Sequence, residues 1–197
     1  MFIVLPRIRT RISLFALPAI LVMLWLEGAE AFLVLVISAF LHETGHILAM
    51  RLCGYRVRRV DILPMGAVIV CPEGIPDRAE TIIAVSGPFA SALCAAASFL
   101  WYSATGSAVA VYAVVINLVL GFFNLLPIKK LDGGKALFCF LSEKTNKKET
   151  AERFCSAVST VTKLFFAALS IICILSSGYN LGVTVLSLAL AVQLLTD

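Results

Sequence analysis

The sequence predicts an all-α polytopic membrane protein with about six transmembrane helices and a short re-entrant β element after the second. Two observations carry this. Of the 197 residues, 60% are apolar and only 14% are charged, against about 45–50% and 25% in a soluble domain. The apolar residues also fall into runs, and six helices of about 20 residues each would use nearly all of them. Such a composition excludes a disordered chain, a nucleic-acid module and an ordinary soluble enzyme. The net charge of +4 matters less than where the charges stand.

The first run, 12–26, follows Arg7, Arg9 and Arg11 and precedes Ala29-Glu30-Ala31. That is also the pattern of a signal peptide; the run is read here as an uncleaved first helix. The second run, 28–52, contains His42-Glu43-Thr44-Gly45-His46. Residues 62–71 are apolar but too few to span a bilayer. Their β-branched residues, with Pro64 and Gly66, argue for an extended re-entrant segment. Protein or a watery cavity must then satisfy its backbone.

The third span, 81–102, contains Gly87-Pro88, and the fourth, 107–128, contains Asn117 and Asn124. A polar stretch at 129–135, an apolar piece at 136–141 and a second polar stretch at 142–153 follow. The fifth span is 157–175 and the sixth 179–195, joined by the turn Ser176-Ser177-Gly178. With a cytoplasmic N-terminus, six spans put both termini inside. All 16 basic residues then lie at the cytoplasmic side, and the outer loops near 27–30, 103–106 and 176–178 hold none. The 6 cysteines form no C-x-x-C pair and read as small buried hydrophobes.

An ionisable group inside a span costs roughly 2.5–3.5 kcal/mol and needs a reason to be there. The second run carries three, His42, Glu43 and His46, and the chain has only 2 histidines. Residues four apart share one helix face, so both imidazoles can reach one metal ion. Glu43 beside them can accept a proton from a metal-activated water, the logic of H-E-x-x-H hydrolases. Gly45 lets another helix or a substrate backbone come close. A catalytic zinc needs a third protein ligand. Asp132 in Leu131-Asp132-Gly133-Gly134 is a candidate, as are Asp61, Glu73 and Asp77. Asp132 could equally cap a helix before Gly133. By helix rise, His46 lies about 7 Å and His42 about 13 Å from the basic end at Arg51, which puts the site near the cytoplasmic face.

His42-Glu43-Thr44-Gly45-His46, with Asn124-Leu125-Leu126-Pro127 and Leu131-Asp132-Gly133-Gly134, resembles the site-2 protease family of intramembrane zinc metalloproteases, and within it the sporulation branch. The resemblance implies one Zn2+ per chain held by His42, His46 and Asp132, with Glu43 as general base. It implies that Asn124 acts on the reacting carbonyl. It also implies that Met65, Gly66, Ala67 and Val68 pair with an unwound substrate by strand addition. The implied substrate is a membrane-associated regulatory protein, the precursor of a late sporulation sigma factor. Inhibitory membrane proteins are implied as partners, and nucleic acid is not. The implied location is the bacterial cell membrane, or the outer forespore membrane. A PDZ or CBS domain is not expected within 1–197.

Two departures stand out. Ser91 takes a position where many relatives carry Asn, so the resemblance assigns it no polar role. Lys129-Lys130 replaces a more apolar stretch and is read as facing lipid headgroups. Two other functions compete. One is a catalytically silent relative that only binds a membrane partner. The other is a metal-ion transporter, which would need further ligands along a path; spans one, three, five and six carry none away from their ends.

Overall fold

The computed structural model describes the backbone of residues 2–6, 9–13, 16–57, 59–63, 66–70 and 74–176, and the side chains of 28–57, 74–172 and 174–176. The chain divides into two compact units, Met1–Leu125 and Leu126–Asp197. Four helices among the described residues are long and apolar enough to cross a membrane: Gly28–Leu52, Asp77–Thr105, Ala108–Leu125 and Lys148–Ser176. At 1.5 Å per residue the shortest measures about 27 Å, close to the hydrocarbon thickness of a bilayer.

The first unit begins with β1 (Phe2–Pro6) and β2 (Arg9–Ser13), followed by α1 (Ala16–Leu52). Then come β3 (Arg59–Leu63), β4 (Gly66–Val70), α2 (Asp77–Thr105) and α3 (Ala108–Leu125). The strands form one sheet in the order β1-β2-β3-β4, with β2 and β3 parallel and the other pairs antiparallel. Helix α1 is the crossover that a parallel pair requires.

Several boundaries differ from the sequence reading. The first helix starts at Ala16, because Ile12 and Ser13 pair with Ile3 and Phe2 across the β1–β2 hairpin. The runs 12–26 and 28–52 join into one helix broken at Gly28, whose φ of 80° suits a residue without Cβ. Where the sequence reading has one extended element at 62–71, the structure has two antiparallel strands, Arg59–Leu63 and Gly66–Val70, with Leu63 paired to Gly66. The polar stretch 142–153 is largely helical, since Glu, Lys and Arg favour helix although they carry no hydropathy signal. The sixth span, 179–195, lies outside the described residues, as does Met65.

Helices α1, α2 and α3 pack on one another. Small residues make this close. A Cβ on Gly45 would lie 2.6 Å from the Ser86 carbonyl oxygen and 2.7 Å from the Ala90 Cβ. Small residues at interfaces are how membrane helices approach when apolar burial offers little difference from lipid. Ala49, Met50 and Ile83 form the core at the Arg51 end of α1, with Cys53, Tyr55, Val57 and Ile75 packed against them. Large apolar side chains such as Phe40, Leu48, Phe89, Phe99 and Phe122 point outward. Helix α2 ends at Gly106 in the left-handed region, where its N–H donates to the Tyr102 carbonyl at 2.7 Å.

The second unit contains α4 (Asp132–Thr145) and α5 (Lys148–Ser176). The chain enters α4 through a tight turn in which the Leu131 N–H donates to the Ile128 carbonyl at 2.8 Å. Gly134 is buried against this turn, and a Cβ there would overlap the Ile128 carbonyl. Ala136, Cys139 and Ser142 on α4, and Ala151, Cys155 and Ser159 on α5, are buried. The exposed Lys129–Glu152 ion pair at 3.0 Å adds little stability. Gly134→Ala should therefore distort the entry to α4 and cost about 1–3 kcal/mol as an overpacked backbone contact; thermal melting of the purified variant measures it.

Candidate metal centre

Both histidines come from one face of α1, and the three-helix core buries them to 3% (His42) and 7% (His46) exposure. Their Nε2 atoms face each other at 3.3 Å, with the rings edge to face. Helix α2 holds each ring from behind. His46 Nδ1 lies 2.7 Å from the Ile83 carbonyl oxygen, which also accepts from the Ser86 hydroxyl at 2.5 Å. A carbonyl only accepts, so His46 Nδ1 carries the proton and Nε2 presents a lone pair. His42 Nδ1 lies 2.9 Å from Ser91 Oγ.

Gly87 completes the cradle. A Cβ there would overlap His46 Nε2 and lie 2.7 Å from His42 Nε2. The space in front of the two ring nitrogens exists because residue 87 has no side chain. Two imidazole nitrogens converging on one small space, each ring fixed by a bond at its other nitrogen, fit a borderline-soft divalent metal.

The other anticipated residues are placed as follows. Glu43 is half-buried on α1 beside His42. Asn124 is half-buried in the last turn of α3, and its amide donates to the Leu120 carbonyl at 2.9 Å. Gly66, Ala67 and Val68 belong to β4, which pairs with β3. In the second unit Asp132 opens α4 and is half-buried. The residue at the cap position is Leu131, and Asp132 stands in the first turn of α4. Lys129 and Lys130 are exposed.

Three contributors escaped the sequence reading. The Ile83 carbonyl and Gly87 carried no sign of contact with histidine. Ser91, given no polar role on resemblance, is bonded to His42; the available signal was its spacing of four from Gly87 on one face of α2. One turn along α1 from His42, Ser38 accepts a hydrogen bond from Asn117 Nδ2 at 2.9 Å, while the same nitrogen donates to the Ala113 carbonyl at 2.8 Å. Asn117 Oδ1 is buried without a partner among the described residues.

Comparisons with known proteins place this bundle of apolar helices and its buried histidine pair in a family. The profile of Peptidase family M50 matches residues 30–109 and 103–169. The chain belongs to Peptidase family M50, in line with the site-2 protease resemblance, and is an integral membrane protein. It is 32% identical over 121 residues to a zinc metalloprotease of Methanocaldococcus jannaschii, covering 59% of this chain and 35% of the relative. It is also 32% identical over 120 residues to stage IV sporulation protein FB of Bacillus subtilis, covering 58% of this chain and 41% of the relative. The chain thus spans less than half the length of these relatives. The solved site-2 protease from Methanocaldococcus jannaschii shares the fold, with a TM-score of 0.66 at 22% identity over 97% of this chain and 91% of that one.

Gly87→Ala tests the cradle directly. The variant should keep the helix, since alanine suits one, at an overpacking cost of about 1–3 kcal/mol as the rings are displaced, and bind a divalent transition metal at least about tenfold more weakly, since a displaced ligand loses its geometry. Competition against a chromophoric chelator measures this.

Proposed function

We propose that this chain is the catalytic domain of a zinc metalloendopeptidase that cuts a membrane-associated protein near the cytoplasmic face. The observation that carries the reading is the buried pair of Nε2 atoms, 3.3 Å apart, supplied by the only 2 histidines of the chain, with Glu43 standing between them in the sequence. Membership of a peptidase family supports it, as do the names of the zinc metalloprotease relatives. In this reading His42, His46 and Asp132 hold one Zn2+. Asp132 is favoured by the Leu131-Asp132-Gly133-Gly134 motif.

When bound, zinc would polarise the scissile carbonyl and make a water acidic at neutral pH. Glu43 takes the proton of the attacking water and returns it to the leaving amine. Its half-buried position suits a group that must exchange protons. Asn124 donates to the oxygen that gains charge, after releasing the Leu120 carbonyl it now holds. The β4 edge, at the end of the strand order, receives the unwound substrate by main-chain hydrogen bonds.

The full arrangement would be six spans with both termini cytoplasmic, supported by the one-sided distribution of Lys and Arg. The likeness to stage IV sporulation protein FB supports a sigma-factor precursor as substrate, inhibitory membrane proteins as partners and the outer forespore membrane as location.

Glu43→Gln should retain zinc and the wild-type melting temperature but lose cleavage of a co-expressed membrane substrate by at least about a hundredfold, the low end of general acid–base contributions. Retained cleavage would refute the mechanism. Asp132→Asn should lower the zinc content of the purified protein; equal zinc in variant and wild type would remove Asp132 from the ligand set.

A further inference from the structure

We infer that Ser159 of α5 is a positioning residue for Asp132: its buried hydroxyl holds the turn from which Asp132 emerges. The inference rests on the reading of Asp132 as a metal ligand and names what keeps that ligand in place.

Asp132 is the first residue of α4. The first N–H groups of a helix lack the bonds that fix its interior, so the place of Asp132 depends on the turn before it. That turn is closed in part by its own chain. The Ile128 N–H donates to the Leu126 carbonyl at 2.7 Å, the Leu131 N–H to the Ile128 carbonyl at 2.8 Å and the Lys135 N–H to the Leu131 carbonyl at 3.0 Å. The Lys129 N–H goes elsewhere. It donates to Ser159 Oγ at 3.3 Å, 30 residues on and in another helix. Lys129 meets α5 a second time, where its Nζ donates to Glu152 Oε1 at 3.0 Å.

The two ties are not equal. The Lys129–Glu152 pair is exposed on both sides and contributes little. Ser159 is 4% exposed, and Ile128, next to its partner, 3%, so water competes little for the Ser159 bond. A main-chain N–H left unmet there would cost free energy. Packing limits the turn from the other side. Gly134 of α4 lies so close that a Cβ on it would overlap the Ile128 carbonyl. The turn is thus held by contact with α4 and by a hydrogen bond to α5. Without the hydroxyl, the segment that leads into Asp132 keeps the contact but loses the bond. It then fluctuates more, and a ligand that is held less firmly binds a metal less well.

The test uses the full chain in detergent, with three readouts: amide hydrogen exchange, Zn2+ affinity by chelator competition, and melting of the metal-free protein. In the wild type the Lys129 amide should be protected; exchange as fast as at an open loop would overturn the inference. Ser159→Ala should speed exchange at Lys129 by at least about tenfold. It should weaken Zn2+ binding by about tenfold, the low end for groups that orient ligands, with little change in melting. Ser159→Thr and Ser159→Val differ only by a hydroxyl for a methyl, and should show the same contrast even if Ser159→Ala does not fold. Faster exchange with an affinity within about threefold of wild type, or a lower melting temperature with unchanged affinity, would mean that Ser159 only packs, and would overturn the inference. Asp132→Asn separates the two readings. If it weakens Zn2+ binding and loss of the Ser159 hydroxyl does not, this inference alone falls. If it binds Zn2+ as well as the wild type, or the wild type binds none, the reading of Asp132 as a ligand fails and this inference with it.

Discussion

The close approach of α2 to α1 at Gly45 and Gly87 is the constraint on which the site depends. Two imidazoles inside an apolar bundle are costly unless each polar nitrogen has a partner. Those partners, the Ile83 carbonyl and the Ser91 hydroxyl, stand on α2. They reach the rings because residue 45 leaves room for the α2 backbone and residue 87 leaves room for the ring nitrogens. A larger residue at position 45 would hold the two helices apart, and one at position 87 would displace the imidazole nitrogens. The two glycines therefore determine the chemistry, although neither has a functional group.

The same constraint fixes register. Each of the three packed helices presents a row spaced by four: Ser38, His42 and His46 on α1; Ile83, Gly87 and Ser91 on α2; Ala113, Asn117 and Gly121 on α3. One residue of slip turns a helix by about 100° and would carry a whole row off the interface. Lipid tails are as apolar as leucine, so burial of apolar surface distinguishes these registers weakly, and steric fit with interhelical hydrogen bonds must do so. The Asn117–Ser38 bond ties α3 to α1 just as the histidine bonds tie α2 to α1.

What was legible in the sequence follows from this division. Helices that meet lipid announce themselves by hydropathy, and the histidine pair stood out because nothing else in the chain resembles it. The strand partners were not legible: β2 pairs with β3 across the length of α1, and no local pattern in Arg9–Ser13 records that. The polar helical turns at 142–153 were passed over because a membrane reading looks for apolar length. Ser91 was missed for a deeper reason. What a serine bonds to depends on which residue the neighbouring helix places opposite it, and that is a property of the α1–α2 register rather than of the residue.

Burial also sorts the polar groups by task. His42 and His46 are sealed in the core, with each Nδ1 already committed. In the proposed mechanism the two rings are ligands, which gain from this because their geometry must not change on binding a metal. Glu43, one residue from His42, rotates off that face and is half-buried. The general-base role proposed for it would gain from that, because such a group must take a proton and give it up within each turnover. One helical turn thus supplies both a rigid pair and a more accessible carboxylate, because adjacent residues on a helix point about 100° apart. The His-Glu-x-x-His spacing is in this sense a way of placing three polar groups in two environments at the smallest cost in membrane-buried charge.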